Sequence, residues 1–146
     1  MNNNPGSIIL TQCVSKKQQT PSPARELYIS RLFQAQRRYA EAVGDNWYIL
    51  SAEHGLVTPD TELAPYDTHI SDVDAEMWAD MVVSELCPVS QPVRITAGAT
   101  YADPLVPELE ARGVEVIEPF RGEGIGTRIQ SMIAASRKAE NTELPG

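Results

Sequence analysis

Cys13 ends an apolar run, Ser7 to Gln12, and is followed at once by a turn carrying Ser15, Lys16 and Lys17. The chain has three lysines against nine arginines, so a lysine pair beside a thiol stands out from its composition. A strand that delivers a thiol to its C-terminal end, next to cations and free turn amides, favours the thiolate, the nucleophilic form. In open α/β sheets ligands gather beyond such strand ends. The competing reading is a packed thiol, since free cysteine is among the most buried residue types. Cys87, before Pro88, carries only that packing role.

Three further constellations have chemistry in them. The stretch S-A-E-H-G-L, Ser51 to Leu56, offers an acid–base pair, Glu53 and His54, beside a glycine that admits an unusual backbone angle. If its strand neighbours that of Cys13, the pair sits near the thiol; otherwise Glu53 caps a turn and His54 hydrogen-bonds the loop. In R-G-E-G-I-G-T-R, Gly124, Gly126 and Arg128 open a helix and, with Arg121, form an anion cradle. It follows the last strand, so it is not the dinucleotide fingerprint. In A-G-A-T-Y, Gly98 and Tyr101 close a strand; the ring can stack on a base or donate from its hydroxyl, or simply begin the next helix. Tyr28, Ser30 and the Tyr66 of P-Y-D lie near the same end, whereas Arg31, Arg37 and Arg38 read as a solvated helix face.

Strands alternate with helices around these motifs. Ser7 to Gln12, Trp47 to Ala52, Pro92 to Ala97 and Val114 to Ile117 are predicted strands. Helices are predicted from about Ala24 to Val43, from an Asp72 or Asp74 cap to Leu86, from Pro104 to Arg112 with Gly113 ending it, and from near Gly124 to about Ala139. A loop from Glu53 to Ile70 is long enough to carry function. The pattern predicts an α/β fold: one Rossmann-like, three-layer domain over residues 7–139, with a mainly parallel sheet of about four strands and polar tails at 1–6 and 140–146. The order of the strands is not readable.

With 146 residues, 42% hydrophobic, the chain has enough material for one core. A net charge of -8 disfavours broad binding of nucleic acid or anionic membranes, so any nucleic-acid contact is local. Two cysteines exclude a disulfide framework and a four-cysteine zinc site and imply a reducing compartment. No segment has the roughly 18 to 20 apolar residues of a membrane span, and no signal-peptide pattern is present, so a cytoplasmic protein without metal or cofactor is expected.

Taken in order, C-V-S-K-K, Y-I-S-R-L-F, W-Y-I-L-S-A-E-H-G-L, P-Y-D, G-x-x-Y and G-I-G resemble a family of small domains similar to the YaaA peroxide-stress proteins and to the catalytic core of archaeosine synthase. The resemblance covers roughly Ile8 to Ile133. Cys13, Lys16, Tyr28 and Ser30 match the cysteine, lysine, tyrosine and serine of the synthase core, but an added loop separates Lys16 from Tyr28, and Phe33 stands where the synthase has a histidine. The resemblance implies a transferase that joins an amine or amino acid to a modified base in transfer RNA or DNA; its YaaA side implies nucleic-acid binding. The expected enzyme uses Cys13 as nucleophile, Lys16 or Lys17 against developing charge, His54 or Glu53 for the proton, and Tyr66 or Tyr101 to stack on the base. In that scheme Gly124, Gly126 and Arg128 hold a phosphate or a donor carboxylate. A free modified nucleotide is the alternative substrate, and the alternative functions are a non-catalytic module that binds a nucleotide or nucleic acid and a base or nucleoside hydrolase using His54 and Glu53.

Overall fold

In a computed structural model describing residues 7–14, 16–44 and 46–143, the elements run β1 (Ile8–Gln12), β2 (Ser22–Pro23), α1 (Ala24–Leu27), α2 (Arg31–Val43), β3 (Asn46–Ser51), β4 (Gly55–Val57) and β5 (Glu62–Leu63). After a short 3-10 turn at Ile70–Asp72 come α3 (Ala75–Leu86), β6 (Val93–Ile95), α4 (Ala99–Ala111), β7 (Val116–Ile117) and α5 (Ile125–Glu143). Ser15 and the residues at 1–6 and 144–146 lie outside the described residues.

β1 organises the molecule because both of its faces are covered. Ile8 and Leu10 join the apolar cluster holding Trp78, Val82, Leu105 and Leu109 of α3 and α4, while Ile9 joins Leu32, Tyr39, Ile129 and Met132 of α2 and α5. That division follows from the two-residue period of a strand, and it explains why β1 reads as a continuous apolar run. The sheet is five-stranded in the order β4-β3-β1-β6-β7, with β3, β1, β6 and β7 parallel and β4 an antiparallel edge. The chain leaves β1 to one side, forms β3, then crosses back to place β6 on the other side. Strand order therefore reverses at β1 and β6, the point where open sheets leave a crevice.

The predicted α/β class and its four strands are present, with additions and corrections. The helix expected over Ala24 to Val43 is interrupted: Tyr28 is extended (φ -89°, ψ 125°), and Ser30 caps α2 by accepting from the Phe33 amide at 3.1 Å. The break lets the chain after β1 fold back, with Ile29 N donating to the Lys16 carbonyl at 3.0 Å and Gln18 N to Leu27 O at 2.8 Å. The loop expected from Glu53 to Ile70 holds β4 and β5, and β5 pairs antiparallel with β2 as a ribbon outside the main sheet. Two loops that the sequence separates are thus laced together.

α4 begins at Ala99, so Pro104 and Pro107 lie inside the helix that Pro104 was expected to open. An interior proline costs about 3 kcal/mol. With two such prolines the penalty is about 6 kcal/mol, and burial of Tyr101, Leu105 and Leu109 on one face of α4, at about 1.5–3 kcal/mol each, is of the same order and offsets it. α3 starts from Asp74, whose Oδ1 accepts from the Met77 amide at 3.0 Å. α5 continues past Ala139 to Glu143, so residues 140–143 are helix and not tail; Arg38 reaches Glu140 with two hydrogen bonds, at 2.8 and 3.1 Å. No described helix is long and apolar enough to cross a membrane.

Candidate functional site

β1 ends between β3 and β6, and its last polar side chains open into a cleft of about 580 Å³. Gln12 and Cys13 come from the end of β1 and Lys17 from the loop after it, Gly98, Thr100 and Tyr101 from the start of α4, Ile125 and Arg128 from the first turns of α5, and the segment from Asp67 to Ser71 completes the lining. A volume of this size suits a nucleotide-sized ligand.

Cys13 is 5% exposed, and its Sγ lies 3.1 Å from the Tyr101 hydroxyl. Behind it a buried amide holds the strand ends in place. Gln36 of α2, with no exposed surface, accepts from the Gln12 amide at 2.9 Å and the Thr96 hydroxyl at 2.8 Å, and donates to the Gln12 carbonyl at 3.3 Å. Gln12 Oε1 in turn accepts from the Gly98 amide at 2.7 Å. One side chain on a helix therefore couples the thiol-bearing strand to the start of α4.

Beside the cleft runs a chain of hydroxyls. Tyr28 and Tyr66 are 2.6 Å apart at their oxygens, Tyr66 is 2.8 Å from Ser51 Oγ, and Ser51 Oγ accepts from the His54 amide at 3.0 Å. Lys17 Nζ lies 4.4 Å from the centre of the Tyr66 ring and 5.7 Å from that of Tyr28. The fold-back of the loop thus returns a lysine to Tyr28 despite the added residues between them. Burial, partly offset by the hydrogen bond with Tyr66 and reinforced by Cys13, pushes the Tyr28 phenol up to about 12 from its ordinary 10.0. Burial, then Cys13, raises Tyr66 and Tyr101 well above the ordinary phenol range. Both phenols stay protonated at neutral pH.

The sign of the resulting pH dependence follows directly. Folding favours protonated Tyr28, so the stability it contributes is complete below about pH 10 and is lost as pH rises through about 12. Urea midpoints are expected to fall between about pH 9 and about pH 11.5, and Tyr28→Phe to shrink that fall. An identical alkaline decline in wild type and Tyr28→Phe would contradict the assignment.

Of the residues predicted for the site, Cys13, Lys17, Gly98, Tyr101 and Arg128 line the cleft. Tyr28, Ser51 and Tyr66 stand behind it as the hydroxyl chain. Lys16 is exposed and outside the lining; its carbonyl, not its ammonium, has the structural role. Ser30 is a helix cap. Glu53 and His54 sit in the β3–β4 turn, where Gly55 adopts φ +74°, and both are exposed and absent from the cleft. Glu53 accepts from the Thr68 hydroxyl, and the His54 ring packs edge-on to Tyr66 at 5.0 Å. Gly124 lines a second pocket of about 280 Å³ and Gly126 faces open space, so neither lies against the thiol. The imidazole on the cleft wall is that of His69, whose Nε2 is 3.6 Å from Asp67. Nothing in the sequence around His69 distinguishes it from loop; in the structure it opens the Ile70–Asp72 turn, its amide donating to Asp72 Oδ2 at 3.0 Å and its carbonyl accepting from the Asp72 amide at 2.8 Å. Among the described residues no group of three His, Cys, Asp or Glu is placed to hold a metal ion.

The mostly parallel sheet, its reversal of strand order and the cleft beyond β1 and β6 define an α/β protein with a strand-end cleft. Residues 8–134 match a family of unknown function, DUF6884, and the chain belongs to that family. It is also similar to "Uncharacterized protein YfjM" of Bacillus subtilis (strain 168), with 48% identity over 40 residues. That match spans 27% of this chain and 27% of the relative's own length. No solved structure matches the chain.

Proposed function

We propose that the protein is a cytoplasmic, Rossmann-like three-layer enzyme that modifies a nucleobase, joining an amine or amino acid to a modified base through the Cys13 thiol. The observation that carries the reading is the placement of Cys13 Sγ on a nucleotide-sized cleft at the strand-order reversal, 3.1 Å from a phenol that stays protonated. The sulfur adds to an unsaturated carbon–nitrogen bond of the base, whose π pair moves onto nitrogen and takes up a proton; the Tyr101 hydroxyl steadies the thiolate before attack and after its release, and Lys17 in the same cleft offsets the developing negative charge. The incoming amine displaces the sulfur, and its proton passes to His69, which takes the place expected of His54 and Glu53. The ordered motifs that resemble the archaeosine synthase core support the same class of reaction. The three-layer reading is supported by the two apolar clusters served from opposite sides of β1.

A hydrolase working through His54 and Glu53 fits less well, because neither residue lines the cleft. The test is nucleoside mass spectrometry on DNA and transfer RNA from cells with and without the expressed protein. A mass-shifted nucleoside found only with the protein is expected, and its added mass identifies the donor. Unchanged nucleosides in both nucleic acids, together with nucleotide binding in vitro, would replace the enzyme with a binding module.

A further inference from the structure

Arg128 is 8% exposed, and its Nε has no hydrogen-bond partner. Glu123 acts on it only through space, and among the described residues no carboxylate pairs with it. Glu123 itself accepts from the Ser131 hydroxyl at 2.7 Å, which keeps that carboxylate occupied. A guanidinium removed from water without a partner is costly, and its presence implies a compensating anion.

The guanidinium lies over Gly98. A Cβ added at Gly98 would meet Arg128 Nη1 at 3.1 Å, Nη2 at 3.5 Å and Gln12 Oε1 at 3.4 Å. Gly98 has φ -71°, which any residue adopts, so the constraint here is space: a Cβ would make the guanidinium give by a few tenths of an ångström. Gly98 is also the N-cap of α4 and supplies no side chain to the first turn. The amides of Ala99 and Thr100, which have no intrahelical acceptor, are therefore available beside the guanidinium. Arg128 separates the main cleft from the smaller pocket. The smaller pocket sets two carboxylates, Glu118 and Glu123, against Arg121, whereas the main cleft sets a single carboxylate, Asp67, against Lys17 and also carries His69, so the balance of charge favours an anion on the main-cleft side.

We propose that Arg128 and the uncapped start of α4 at Gly98 form an oxyanion subsite of the Cys13 cleft, taking the phosphate ester or the carboxylate of a bound ligand. The subsite rests on the reading of that cleft as the ligand site, but not on the chemistry of the thiol. A planar fork beside two backbone amides matches either oxyanion, with two or more charge-assisted hydrogen bonds. In this assignment the glycine beside the anion is Gly98, in place of Gly124 and Gly126.

The test titrates the full chain with inorganic phosphate and with acetate, following backbone amide resonances. Shifts centred on Ala99 and Thr100 are expected, with affinity about tenfold or more weaker in Arg128→Gln and in Gly98→Ala, and unchanged in Cys13→Ser. Gly98→Ala keeps the guanidinium and displaces it, so it tests the site even where Arg128→Gln fails to fold. Tighter phosphate binding assigns a phosphate ester, and tighter acetate binding a carboxylate; each supports the subsite. Binding that leaves these amides unmoved, or equal affinity in Gly98→Ala, overturns it. Anion binding without any modified nucleoside would sink the transferase reading alone, and a modified nucleoside without anion binding would sink the subsite alone.

Discussion

Cys13→Ser is expected to lower turnover by on the order of 10⁴-fold or more while leaving the fold intact, the loss that follows removal of a covalent nucleophile. The stability side of this expectation comes from the surroundings. Serine is no larger than cysteine, and its hydroxyl retains the Tyr101 oxygen as a partner, so the folding cost is expected to stay within about 1 kcal/mol. Iodoacetamide is expected to label Cys13 in the native wild type and to be slowed by a cleft-bound nucleotide, with Cys87 indifferent to the same ligand. The combination separates a nucleophile from a packed thiol. A serine variant with wild-type turnover would leave Cys13 as a core residue, and a native Cys13 that does not react would do the same. Retained phosphate binding in the inactive variant shows that the loss lies in the chemistry and not in ligand capture.

The sequence makes β1 and its thiol legible because a strand covered on both faces must be apolar throughout, and the first polar residues mark where it emerges. It leaves strand order open, since the periodicity of β3 and β6 says nothing of which side of β1 each one takes. The β2–β5 ribbon is two residues on each strand, Ser22–Pro23 against Glu62–Leu63, too short for any periodic signal. His54 is suggestive in sequence because it follows a strand, but the Gly55 turn leads straight into the antiparallel β4, leaving His54 outside the cleft. His69 lies in a stretch without pattern, so its place on the cleft wall is not readable from spacing. Arg128 was legible as a cation at a helix start, whereas its partner surface at Gly98 belongs to a different crossover.

Gln36 carries the other large expected effect. It lies three residues after Phe33, four after Leu32, three before Tyr39 and four before Ala40, squarely on the buried face of α2, where helical spacing calls for an apolar side chain. A polar residue on that face is the sequence signal of a buried hydrogen-bond network, and its three bonds to Gln12 and Thr96 supply one. Gln36→Ala removes those partners and opens a cavity, for an expected loss of about 3 kcal/mol, read as a lowered urea midpoint. Gln36→Leu fills the volume but leaves the Gln12 amide without its partner, at about 1–3 kcal/mol, while the Thr96 hydroxyl retains the Leu10 carbonyl at 3.3 Å, so filling the space is not expected to restore full stability. A leucine variant as stable as wild type would show that the network contributes specificity without stability. The same substitution also bears on the cleft, because the end of β1 that Gln36 holds is where Gln12 grips the Gly98 amide. Weakened anion binding in any Gln36 variant that remains folded would tie the buried amide to the positioning of Gly98, and unchanged binding would confine its role to the core.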